Sequence, residues 1–146
     1  IATLIYYDVK AFASPLLAAE ALLTRLLESR VQYVALAGYL KMIPGIILRA
    51  FPRKVVNIHP ALLPKYGGKG MYGHHVHEAV IAAQEKESGA TVHLVDEIYD
   101  HGKILEQVRV AVLPTDTPDL LAERILKEEH KLYPRALQKL IEGKYE

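Results

Sequence analysis

Apolar and polar positions change period several times along this chain, and each change marks an element. Residues 15–30 (PLLAAEALLTRLLESR) place Leu16, Leu23, Leu26 and Leu27 at helical spacing, with Glu20, Arg25 and Glu28 at polar positions. Ser14 supplies an N-cap and Pro15 a proline at the first helical position. Val31 to Gly38 is a short, nearly continuous apolar run, which suits a strand covered on both faces. Ile43 to Phe51 predicts a short helix, and Lys54 to Pro60 a strand that stops at its proline. Four glycines between Leu62 and Gly73, with Pro60 and Pro64 nearby, predict a loop. His75 to Glu87 reads as a helix carrying Val76, Val80 and Ile81. Ala90 to Asp96 reads as a β-branched strand, and Ile104 to Leu113 as a strand with one wetter face. These last two strands suit an antiparallel pair. Thr117-Pro118 opens a final helix with a bend at Tyr133-Pro134 and an end near Gly143.

Helices alternating with strands predict an α/β layer protein with a mostly parallel sheet and one antiparallel edge. A length of 146 residues suits one domain, residues 1–146, and is short for two. The hydrophobic share of 51% argues against disorder. With no cysteine, a disulfide scaffold, a thiolate zinc site and a cysteine nucleophile are excluded. Lys plus Arg number 18 against 17 for Asp plus Glu, so no electrostatic case exists for nucleic acid or an anionic membrane. No apolar run approaches the ~20 residues of a membrane span, and Ile1 to Tyr7 is too short for a secretory signal. The expected location is the cytoplasm. The chain opens on Ile1 rather than Met, which predicts either processing or a missing beginning.

Candidate chemistry concentrates at one strand end. Asn57 and His59 alternate with Ile58, so they share a face, and they lie where open α/β sheets place their ligands. An amide donor beside an imidazole suits a developing oxyanion; a capped strand end with a buried histidine is the plainer reading. Asp100, in Tyr99-Asp100-His101-Gly102, is a turn residue by composition and a partner that would raise the His59 pKa if the fold brings them together. His74, His75 and His77 invite a metal. His75 and His77 diverge by ~200° on a helix, however, and no metal motif such as HExxH is present, so no metal is expected. Glu128-Glu129-His130 reads as a solvated helix face. The glycines at 67, 68, 70 and 73 lack a phosphate-loop pattern, and no GxSxG elbow occurs.

Four segments together resemble the folate-dependent formyltransferases. They are Leu36 to Ile43 (LAGYLKMI), Asn57 to Pro64 (NIHPALLP), Gly89 to Leu105 (GATVHLVDEIYDHGKIL) and Glu129 to Pro134 (EHKLYP). The EHxxYP segment is most similar to the enzymes that act on glycinamide ribonucleotide. The resemblance implies a three-layer Rossmann-like formyltransferase fold and 10-formyltetrahydrofolate as co-substrate. It implies formyl transfer to the amine of glycinamide ribonucleotide in purine biosynthesis. Asn57, His59 and Asp100 match the family's catalytic trio. Leu40, Lys41, Met42 and Ile43 match its folate pocket. Val95 to Asp100, with Asp96, matches the loop around the pterin, and Asn57 also touches the cofactor. Glu129 matches the acid that binds the ribose hydroxyls, and His77 a histidine of structural role.

The pattern joins that of the family partway. The first strand-loop-helix portion, which carries the substrate phosphate in the family, has no counterpart here. Pro15 falls near a basic folate contact of the relatives, and Gly67 to Gly73 lengthens a loop at the folate entrance. The expected partners are small-molecule substrates, with a homodimer as an outcome of exposed apolar sheet. Two alternatives stand beside this reading: another folate-dependent formyltransferase or hydrolase, and an inactive folate-binding remnant.

Overall fold

A computed structural model describes residues 5–98 and 101–145. Its elements follow in order α1 (Pro15–Glu28), β1 (Val34–Leu36), α2 (Gly45–Ala50), β2 (Val55–His59), α3 (His74–Ala82), β3 (Glu87–Leu94), β4 (Ile104–Ala111) and α4 (Pro118–Ile141), after a short 3-10 turn at Val9–Ala11. The four strands form one sheet in the order β1-β2-β3-β4. β1 and β2 are parallel, β2 and β3 antiparallel, β3 and β4 antiparallel. Three strands therefore run one way and β3 runs against them. The expected antiparallel pair of the last two strands is present. The reversed strand, however, lies inside the sheet rather than at its edge. The short connection between β3 and β4 explains why that pair is antiparallel, because a parallel return would need a crossover of a dozen or more residues.

Alternation along β2 separates two cores. Val55 belongs to a cluster with Ile43, Ile47 and Phe51, backed by Leu22, Leu23 and Leu26 of α1. Ile58 faces a second cluster built from Val80, Val92, Leu121, Ile125 and Leu132. Helices thus cover both faces, as the α/β reading required.

The boundaries differ from expectation where tertiary contacts outweigh local signals. Ser14 caps α1, its hydroxyl accepting from the Leu17 amide at 3.2 Å. Leu16 and Leu27 nevertheless stay exposed, and the buried positions are Ala18 and Ala19. α3 stops at Ala82, and Glu87 already begins β3. Ser88 and Gly89 look like breakers in sequence, yet both are paired to β4. A Cβ at Gly89 would lie 1.9 Å from the Val108 carbonyl oxygen, so glycine is what permits this close approach. α4 runs without a break through Pro134. Leu132 and Ala136 are buried on either side of it, and this packing holds the helix across the lost hydrogen bond.

The loop after β2 is pinned from beneath. The buried Thr91 hydroxyl donates to the Ala61 carbonyl at 2.7 Å and accepts from the Leu63 amide at 3.1 Å. Gln107 Nε2 donates to the Leu63 carbonyl at 2.9 Å and to Thr91 Oγ1 at 3.0 Å. Thr91 lies opposite His59 in the β2–β3 register, so the same side chain supports the strand end and the loop. Replacing Thr91 with Val leaves the buried Leu63 amide unpaired. Thr91→Val should cost the protein about 2 kcal/mol or more, read as a lower urea midpoint, while Thr91→Ser should recover most of it.

Candidate active site

The C-terminal ends of β1 and β2, the loops that follow them, the end of β3 and one face of α4 enclose a cavity of about 960 Å³. Asn57 and His59, two residues apart on β2, both line it. His59 is 4% exposed, and its Nε2 lies 2.7 Å from the Tyr66 carbonyl. A carbonyl only accepts, so Nε2 carries a proton in either charge state. The Tyr66 ring is tied down in turn, its hydroxyl donating to Glu85 at 2.9 Å.

Asn57 is oriented by a residue that sequence reasoning missed. His93, buried on β3, sits directly across from it. His93 Nδ1 donates to the Leu94 carbonyl at 3.0 Å, which leaves Nε2 as an acceptor for the Asn57 amide N–H at 3.3 Å. The Asn57 NH₂ thus keeps a second N–H for a ligand oxygen. The available signal was two polar residues, Thr91 and His93, alternating with the apolar Ala90, Val92 and Leu94.

Leu40, Lys41, Met42 and Ile43 line the same cavity, as do Val95 and Asp96. Asp96 closes its own loop: one oxygen accepts from the Ile98 amide at 2.8 Å and the other lies 3.3 Å from His101 Nδ1. Glu129 enters from α4. Burial pushes its carboxyl above the usual value. The helix is held at the right depth by the neighbouring Tyr133. Its hydroxyl lies 2.7 Å from the Leu36 carbonyl and 3.2 Å from that of Val56, bridging β1 and β2. Burial raises the Tyr133 phenol far above its ordinary pKa, so it stays a donor at any working pH. Every expected site residue that is described therefore borders one space. Asp100 lies outside the described residues. Among the described residues no three metal-ligating side chains gather, and no helix is long and apolar enough to cross a membrane.

A polar strip that can donate to an oxyanion, set in a cavity that also carries apolar walls, is the equipment of an acyl-group transfer site. Residues 4–137 match the sequence profile described as formyl transferase, and the chain belongs to that family. Several of its named relatives are phosphoribosylglycinamide formyltransferases. The chloroplastic enzyme of Arabidopsis thaliana is 49% identical over 133 residues, covering 91% of this chain and 46% of its own length. The solved glycinamide ribonucleotide transformylase 1 of Symbiobacterium toebii superposes with a TM-score of 0.85 at 39% identity, over 93% of this chain and 62% of that one. The phosphoribosylglycinamide formyltransferase of Streptococcus pneumoniae superposes with a TM-score of 0.82 at 37% identity, over 92% and 72%. The chain spans less than half the length of the plant relative.

Glu129 provides a pH test. Its folded pKa is raised, so the cost of burying its charge is fully felt at neutral pH. As pH falls through the folded pKa, the folded state takes up a proton first and the cost disappears. Glu129→Gln should therefore melt higher than the parent protein at pH 7. That difference should shrink toward zero in acid; an equal gain at both pH values would show that charge burial is not the cause.

Proposed function

We propose that the protein transfers the formyl group of 10-formyltetrahydrofolate to the amine of glycinamide ribonucleotide, and that residues 1–146 are one formyltransferase domain. The observation that carries this reading is the shared cavity. It brings the Asn57–His59 donor pair, the Leu40–Ile43 segment and Glu129 to one space.

In this proposal the substrate amine attacks the formyl carbon, and the carbonyl electrons move onto oxygen. The second Asn57 N–H and a protonated His59 stabilise that oxyanion. The intermediate collapses by cleaving the bond from carbon to N10 of the folate. One amine proton is lost and N10 gains one, so formylglycinamide ribonucleotide and tetrahydrofolate leave in balance. Asp100 keeps His59 charged and assists the proton transfer; this role rests on the resemblance. Leu40 to Ile43 with Val95 and Asp96 receive the folate, and Glu129 accepts from the ribose hydroxyls.

The remaining parts of the reading follow from the same chemistry. Its ligands are small molecules rather than nucleic acid, and no metal takes part. The exposed Leu16, Leu17 and Leu27 of α1 support a homodimer, which sedimentation velocity would detect. The cytoplasm is the proposed compartment; the plant relative's name places that protein in the chloroplast, so fractionation of source cells decides between the two.

His59→Ala should lower the turnover of the full-length protein by a factor of about 10² or more, while its dissociation constant for tetrahydrofolate changes far less. The charge is needed chiefly as the oxyanion forms. Equal losses in rate and folate affinity would reject the role. Product analysis with and without the ribonucleotide separates transfer from hydrolysis.

A further inference from the structure

Tyr66 has a φ of +57°, in the left-handed region that a residue with a side chain seldom occupies. Its carbonyl is the group that meets His59 Nε2 at 2.7 Å. A residue keeps such a conformation only where its surroundings hold it there. One hold lies upstream, at Leu63, whose amide and carbonyl are bound by Thr91 and Gln107. The other is the Tyr66 side chain. Its ring packs against the core built from Val80, Val92 and Leu121, and its hydroxyl donates to Glu85 Oε1 at 2.9 Å.

Glu85 is a firm anchor for that hydroxyl. It sits in the turn between α3 and β3, and its amide donates to the Val80 carbonyl at 3.3 Å. On its other side the Lys86 carbonyl accepts from the Val112 amide at 2.9 Å, and Glu87 pairs with Ala111 of β4. The Glu85 backbone is therefore fixed from both directions. The Tyr66 hydroxyl, then Lys65, hold the Glu85 carboxyl below its usual pKa, while burial, then Glu85, raise the Tyr66 phenol. At neutral pH a protonated phenol thus meets an ionised carboxylate, which makes the bond a charge-assisted one. Neither Tyr66 nor Glu85 is among the described residues that line the cavity.

We propose that Tyr66 and Glu85 are positioning residues for formyl transfer: their hydroxyl–carboxylate bond, outside the cavity, holds residue 66 in the conformation that keeps its carbonyl on His59 Nε2. The carbonyl in turn fixes the imidazole. His59 is 4% exposed, so its ring cannot turn about the Cβ–Cγ bond without leaving a buried N–H unpaired. A well-aimed imidazole is what stabilisation of an oxyanion requires. The inference rests on the formyl-transfer reading for the role of His59. The contacts that would aim the ring stand apart from that reading.

The test uses the full-length protein and its Tyr66→Phe, Glu85→Ala and Glu85→Gln variants. Tyr66→Phe and Glu85→Ala should each lower kcat roughly tenfold, with the KM of both substrates changed less than about twofold. Glu85→Gln keeps a side-chain acceptor and should recover most of the loss. In a His59→Ala background neither change should lower kcat further, because the effect passes through that imidazole. A second measurement needs no turnover. In protein with labelled histidine, the ring signal missing from His59→Ala identifies His59, and Tyr66→Phe and Glu85→Ala should both shift it. Glu85→Ala removes a partly exposed side chain, so it carries the test if Tyr66→Phe does not fold. A shifted His59 signal in a protein that transfers no formyl group would reject the reaction and keep the positioning role. An unchanged His59 signal with an unchanged kcat, or a further fall of kcat in the His59→Ala background, would overturn it.

Discussion

Thr91 Oγ1 takes part in three hydrogen bonds in a position with no access to solvent. The chain leaving β2 at Pro60 must turn away while still inside the protein, so the polar backbone of residues 61–63 is buried before it can reach water. Buried peptide groups without partners are costly. Thr91 and Gln107 from the two neighbouring strands supply the partners. With the loop pinned there, Tyr66 presents its carbonyl to His59, and the glycine-rich stretch is launched toward α3. Without that support the strand end would hold the same residues in no particular arrangement.

The two donors of the site are set by a common device. In each case a backbone carbonyl, which can only accept, decides where an imidazole proton stands. The Tyr66 carbonyl places one on His59 Nε2, and the Leu94 carbonyl places one on His93 Nδ1. The first choice keeps the Nε2 proton of His59 on the Tyr66 side. The second turns His93 into an acceptor that points the Asn57 amide. Preorganisation of this kind places dipoles before charge develops, which is where electrostatic catalysis gains its advantage. Tyr133 does the complementary work at the helix, coupling the depth of α4, and so of Glu129, to β1 and β2.

Much of this was legible in the residues. The Asn57–His59 pair is a consequence of strand alternation, and the Ser14 cap and the start of α4 at Pro118 are local signals. Other features were hidden. His93 and Thr91 looked like ordinary members of a strand, because their importance depends on which residues face them across β2. The part played by Gly89 lies in the close approach of Val108, which no local signal announces. Pro134 read as a bend because what holds α4 across it is the packing of Leu132 and Ala136 against other elements. Leu16 and Leu27 read as core because periodicity says which side of a helix is apolar, not how much of that side is covered.

The sequence by itself determined the α/β class, the positions of the main helices and strands, and the residue types able to bind an oxyanion. These follow from period, capping and side-chain chemistry, all of which act over a few residues. Only the tertiary structure decided that β3 runs against its neighbours inside the sheet, which nitrogen of each buried histidine carries its proton, and that Glu129, some seventy residues from His59 in the chain, borders the same space. Those outcomes depend on contacts between segments far apart in sequence, where packing and the need to pair every buried polar group select one arrangement from several that the local signals permit.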